Sequence, residues 1–149
     1  MTKSAVLSDT DFELDGDLGE LGLLVEQVNR FCRAAGLDDE AAFELNLVLE
    51  ELFTNTVRHG GCSGVRHAVW VQLKLLEHGG VAVDYRDCGV PFDPTSAAVP
   101  ELAGPLSERQ PGGLGIHLVR QIMGDLRYQR AGSWNRLTMR REGKADHAA

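Results

Sequence analysis

Three short stretches carry residues that could do chemistry. In LVLEELFTNTVRHGG, residues 47–61, Glu51 and Asn55 stand four apart. At ~100° per residue a helix puts both on one face, which is either a solvated surface, with a propensity penalty at Asn55, or a site. In VAVDYRDCG, alternation sets Val81, Val83, Tyr85 and Asp87 on one strand face. The first three belong against a core, so the Asp87 carboxylate points into that core or at its edge and needs a partner. An arginine, backbone N–H groups or a strand that ends at Arg86 would satisfy it. So would the exocyclic amine of a flat ligand, which Gly89 would let approach the backbone closely. In PGGLGIHLV, residues 111–119, Gly112, Gly113 and Gly115 stand at a helix entrance. Exposed N–H groups and the helix dipole make such an entrance an anion site, or it is a plain flexible junction. It is not a P-loop, because Lys3, Lys74 and Lys144 all lack the glycine context. Nor is it a dinucleotide fingerprint, because Leu118 stands where a third glycine is needed.

Periodicity supplies the elements that must position these residues. A short first strand is expected around Asp11–Leu14. Leu21, Leu24, Val25, Val28 and Phe31 recur at three and four between Leu18 and Ala35, an amphipathic helix that Gly36 ends. Asp38 or Asp39 can cap a second helix that runs to about His59, with Leu45, Val48, Leu49, Leu52, Phe53 and Thr56 as its core stripe. Gly60-Gly61 stops it. The period then changes to two. Val69, Val71, Leu73 and Leu75 share a strand face, EHGG is a hairpin turn, and VAVDYRD is the return strand. Residues 88–112 have no period and hold all five prolines, which marks a lid or a long loop. GGLGIHLVRQIMGD becomes a helix with Gly124 as its stop. LRYQR and WNRLTMRR form a last hairpin around Gly132, and residues 142–149 are a polar tail. The order β-α-α-β-β-lid-α-β-β predicts an α+β fold: a two-layer sandwich with helices on one face of a mixed, mostly antiparallel sheet. One domain spans 1–149, with its core at about 11–141.

Size and charge narrow the function. A chain of 149 residues is long enough for one real core. Its net charge of −7, without a basic stripe, argues against nucleic acid as the main partner. No apolar run reaches the ~20 residues that span a bilayer, and the N-terminal stretch lacks the apolar region of a signal peptide. Cys32, Cys62 and Cys88 are odd in number and widely spaced, which suits a reducing, cytoplasmic setting.

In order, ELFTN on a helix, DCGVPFD after a strand, a proline-rich lid and GGLGIHLV resemble the N, G1 and G2 boxes of the GHKL ATPase superfamily, whose ATPase fold is the histidine-kinase-like or Bergerat fold. Within it, residues 11–141 look like the anti-sigma factor serine/threonine kinase branch, to which the opening DLGELGLLVEQVNRFCRAAGLDDEAAFELNLVLEELFTNTVRHG and the closing SWNRLTM also correspond. The resemblance implies ATP and Mg²⁺ as cofactors. It implies Asn55 as the Mg²⁺ ligand through its side-chain oxygen and Glu51 as general base. Asp87 would accept the adenine amino group, with Gly89 beside it. Gly112, Gly113, Leu114 and Gly115 would wrap the phosphates, Arg109 would reach the γ-phosphate, and Thr138 would touch adenine, although alternation puts Thr138 opposite Leu137 and Met139. Glu50, ~100° around the helix from Glu51, falls outside the pocket. The implied activity is phosphorylation of an anti-anti-sigma (STAS) partner together with sequestration of a sigma factor or similar regulator; a non-catalytic, ATP-gated interaction switch is the alternative. A homodimer is expected. No phospho-accepting histidine box precedes the domain, which disfavours a complete histidine kinase.

The remaining residues read more plainly. His59, Cys62 and His67 lie too close together around glycines for good zinc geometry. His59 is expected to pack or hydrogen-bond below the nucleotide. The cysteines read as small apolar fillers, with Cys88, beside the proposed pocket, the one placed to react. Trp70 and Trp134 read as sheet packing.

Overall fold

The computed structural model describes residues 5–96 and 113–143. Asp38 caps the long helix as its position suggests, its carboxylate accepting from the Ala41 N–H at 2.9 Å. That helix, α2 (Asp39–His59), buries Leu45, Val48, Leu49, Leu52, Phe53 and Thr56, the stripe read from the sequence. Before it, α1 (Leu21–Ala35) buries Leu24, Val28 and Phe31 and ends at Gly36, whose φ of 69° is the left-handed conformation glycine adopts without a Cβ penalty. Residues Leu18–Glu20 form a separate 3-10 turn, so α1 starts three residues later than its apolar period suggests.

The strands are β1 (Val6–Leu14), β2 (Val69–Leu76), β3 (Val81–Asp87), β4 (Gly124–Ala131) and β5 (Trp134–Arg141), in the sheet order β1-β2-β3-β5-β4. Every pairing among the described residues is antiparallel, so the expected mixed component is absent there. β1 is about twice as long as the sequence suggests. Its outer half, Val6 and Leu7 included, is exposed and is held by pairing with β2 rather than by burial. Val69, Val71 and Leu73 of β2, Val81, Val83 and Tyr85 of β3, and Leu137 and Met139 of β5 face the helices and join them in one core. Arg141 donates to Glu44 at 2.8 Å and ties the end of β5 to α2. The third helix, α3 (Gly113–Ile122), stops before Gly124. Gly124 instead opens β4 opposite Arg140, and Asp125, at φ 52°, lies at the irregularity in register that follows it. The helices thus form one layer and leave the other sheet face open. Trp134 lies on that open face, and Trp70 stands there with the Arg86 guanidinium 4.5 Å above its ring. The expectation that the two tryptophans pack on the sheet holds on its outer surface, where Arg86 stacks on Trp70.

Candidate active site

A narrow cleft opens between α2, the end of β3, β5 and the start of the proline-rich segment. Leu52, Asn55 and Thr56 come from α2, Tyr85 and Asp87 from β3, and Asn135 and Leu137 from β5; Val90, Phe92 and Pro94 cover one side. The periodicity of each element explains the gathering. Thr56 follows Leu52 by one helical turn, Asp87 follows Tyr85 by one strand repeat, and all face the same layer boundary.

The bond pattern around Asp87 makes one oxygen busy and leaves the other open. Oδ1 accepts from the Gly89 N–H at 2.8 Å and from Asn135 Nδ2 at 3.0 Å. Among the described residues, Oδ2 meets only the Thr56 hydroxyl, at 3.4 Å. That hydroxyl has one hydrogen to give. The Leu52 carbonyl at 3.0 Å takes it, so Tyr85, 2.7 Å away, donates to Thr56. Oδ2 of Asp87 therefore keeps lone pairs for a donor in the cleft. Burial, with the Asp87 charge adding to it, pushes the Tyr85 phenol well above its usual range, so it stays a neutral donor.

Gly89 is buried, and what crowds it is the chain itself. A Cβ there would meet Asp87 Oδ1 at 2.8 Å and the Gly60 carbonyl at 3.0 Å. The close approach expected for a ligand is made by the Gly60 loop, which also accepts the Val90 N–H at 2.9 Å.

Asn55 and Glu51 divide along α2. Asn55 lines the cleft, and its Oδ1 is buried without a hydrogen-bond partner among the described residues. An amide oxygen left without a donor suits a hard cation that takes oxygen ligands, so the residue fits Mg²⁺. Glu51, one turn back, does not line the cleft. It lies in the seam with α3, where a Cβ on Gly115 would overlap its carboxylate. Gly113, Leu114 and Gly115 form the first turn of α3, so the Glu51 carboxylate sits at the positive end of that helix. Among the described residues no three His, Cys, Asp or Glu side chains group as a metal cluster. His67 pairs with Glu13 at 2.7 Å, and His59 is exposed rather than packed.

Thr138 is not brought to the site. It lies on the open sheet face beside Arg136 and Asp84, as the burial of its neighbours Leu137 and Met139 requires. Asn135 takes the place by Asp87, a residue that none of the sequence motifs singles out. The signal was present: stepping back by two from buried Leu137 reaches Asn135 on the helix-facing side. Arg130 was also missed. It donates to the Gly89 carbonyl at 2.7 Å and fastens the β4–β5 hairpin to the Asp87 turn. Arg109 and Gly112 lie outside the described residues, as do residues 97–112 of the lid and 144–149 of the tail.

Residues 14–141 match the family described as a histidine kinase-like ATPase domain. The chain belongs to that family. Its members are ATPase domains. The serine/threonine-protein kinase BtrW of Bordetella bronchiseptica is 38% identical to this ATPase domain over 97 residues, 65% of this chain and 68% of that protein. A crystal structure of the RsbU and RsbW domains of a Mycobacterium tuberculosis protein superposes on 91% of this chain with a TM-score of 0.63 at 15% identity. This chain covers 34% of that one, so the likeness is one of fold. The resemblance to the GHKL superfamily, and to its serine/threonine kinase branch, holds. No described helix is long and apolar enough to cross a membrane.

Proposed function

We propose that this ATPase domain is an anti-sigma-type protein serine/threonine kinase. It binds ATP in the Asp87 cleft and moves the γ-phosphoryl group to a serine or threonine hydroxyl of a small anti-anti-sigma (STAS) partner. It also sequesters a sigma factor or similar regulator, as a cytoplasmic homodimer. The observation that carries this reading is the Asn55 Oδ1 buried without a partner among the described residues, in the same cleft as Asp87. The name of the Bordetella relative supports it.

Each residue then has a task. Asp87 Oδ2 accepts the adenine amino group. The N–H groups of Gly113, Leu114 and Gly115 face the phosphates. Mg²⁺ held by Asn55 Oδ1 would offset phosphate charge. Glu51 takes the proton of the attacking hydroxyl; an O–P bond forms to the γ-phosphorus, the bridge to the β-phosphate breaks, and ADP leaves. Arg109 is assigned to the γ-phosphate. Much of the acceleration comes from positioning.

Calorimetric titration of ATP, with and without Mg²⁺, into wild type and Asp87→Asn tests the site. Mg-dependent binding that weakens at least a hundredfold in Asp87→Asn is expected; a folded wild type that binds no ATP overturns the reading. One observation favours the non-catalytic switch as a second reading: Glu51 lies against Gly115 rather than in the cleft. Glu51→Gln separates the two. A kinase keeps ATP and loses transfer to the partner, whereas a switch keeps its partner regulation intact.

A further inference from the structure

Two sulfurs meet directly behind the Asp87 turn. Cys62, in the loop between α2 and β2, is buried; Cys88, next to Asp87, is half-exposed. They are far apart in the chain, yet their Sγ atoms are 3.8 Å apart. The backbone holds them there. Cys88 N–H donates to the Ala68 carbonyl at 3.1 Å, and Val90 N–H to the Gly60 carbonyl at 2.9 Å. A Cβ on Gly89 would stand 3.3 Å from the Cys62 sulfur. Cys32, the remaining cysteine, lies in the core stripe of α1.

We propose that Cys62 and Cys88 are a redox modification site: a peroxide closes them into a reversible disulfide that displaces the Asp87–Gly89 turn and weakens nucleotide binding. The effect on the nucleotide rests on the adenine role of Asp87 proposed above; the disulfide does not.

The chemistry balances in two steps. Hydrogen peroxide reaches the half-exposed Cys88 thiol first. An S–O bond forms, the O–O bond breaks, and Cys88 becomes a sulfenic acid with loss of one water. The Cys62 sulfur then attacks the Cys88 sulfur. The S–S bond forms, the S–O bond breaks, and the leaving hydroxide takes the Cys62 proton as a second water. Two thiols have given two electrons to one peroxide, and a dithiol reductant reverses the result. Burial, contact with Cys88 and the Asp87 charge push the Cys62 thiol up to about 12, so the second step quickens as pH rises.

The functional effect follows from geometry. A disulfide is ~2.0 Å long, so closure draws the sulfurs together by about 1.8 Å. Cys88 lies between Asp87 and Gly89, whose N–H fixes Asp87 Oδ1 at 2.8 Å. The buried Cys62 has little room to move, so the turn carrying Cys88 shifts instead.

The test uses the full chain, reduced or treated with hydrogen peroxide. Non-reducing digestion should yield a linked peptide joining Cys62 to Cys88, with a loss of about 2 Da. ATP affinity should fall at least tenfold on oxidation and return with dithiothreitol. Cys88→Ser, and Cys62→Ser as a second variant, should form no link and bind ATP equally with and without peroxide. No linked peptide, or a link only through Cys32 or between chains, overturns the disulfide. A complete Cys62–Cys88 link with ATP affinity unchanged overturns the displaced turn. If reduced wild type binds no ATP, the nucleotide reading fails, and the linked peptide still decides the disulfide.

Discussion

Asn135 saturates its amide in holding the site together. Nδ2 donates to Asp87 Oδ1 at 3.0 Å, to the Val90 carbonyl at 2.8 Å and, more weakly, to the Gly89 carbonyl at 3.3 Å. Oδ1 accepts from the Tyr128 hydroxyl, from Arg130 at 3.2 Å and from the Phe92 N–H at 3.4 Å. An amide is the side-chain group that can give and take at once here, and that is what joins a carboxylate, two carbonyls and three donors. Asn135→Ala leaves Asp87 held by Gly89 alone on its Oδ1 side. A hydrogen bond to a charged group contributes ~1.5–3 kcal/mol, so ATP should bind about tenfold or more weakly. Thr138→Ala, on the opposite face, should leave ATP affinity within about twofold. Side-by-side titrations of the two variants check the assignment, and a larger loss at Thr138 would reverse it.

At the scale of elements, α2 and α3 meet through Gly115, and the meeting decides where Glu51 points. Alanine at 115 gains ~1 kcal/mol in helix propensity, and overpacking ordinarily costs ~1–3 kcal/mol. The atom it would strike first is the far end of the Glu51 side chain, which can swing aside. Gly115→Ala should therefore change stability by less than about 1 kcal/mol yet lower phosphoryl transfer at least tenfold, with ATP affinity nearly unchanged, because the base has been moved. Unfolding in urea and a transfer assay on the same sample test this; full transfer, or a loss of stability well above 2 kcal/mol, would refute it. The elements themselves were largely legible. Each helix stripe and the β2–β3 alternation point to the core because a buried face imposes its period on the chain. The seating of Gly115 on Glu51 was not legible, since it depends on how two helices far apart in sequence cross. Nor was the outer half of β1, whose residues are exposed, held by backbone pairing, and show no alternating apolar period. The Asp87 site was half legible. Its carboxylate stood out as charge on an apolar face, while Asn135 looked like any polar residue in a hairpin.

For the molecule as a whole, the sheet is joined at its middle by Asp84. Order β1-β2-β3-β5-β4 makes the β3–β5 ladder the seam between the two halves, with no hairpin connecting them. On the open face, Asp84 sits in that seam and accepts from Arg136 at 2.8 and 3.2 Å and from Arg86 at 3.2 Å. Burial alone would raise its carboxyl pKa, but the bonds and charges of Arg136 and Arg86 outweigh burial, and the net shift is downward from 3.8. A group whose pKa is lower in the folded state stabilises above its unfolded value and loses that contribution as pH falls through the folded value. Asp84→Asn should thus cost about 1–2 kcal/mol at pH 7, discounted because both arginines are partly exposed. The gap between wild type and variant should narrow below about pH 4 and nearly close in stronger acid. The comparison must be between the two proteins at each pH. The chain carries a net −7 at neutrality, and acid carries it through its isoelectric point near 5.2, changing the charge of every surface at once. Thermal unfolding followed by circular dichroism at pH 7, 5 and 3 reads the difference directly. A gap that stays constant over that range would mean that the seam is held by its ladder and that the arginine bridge adds nothing to it.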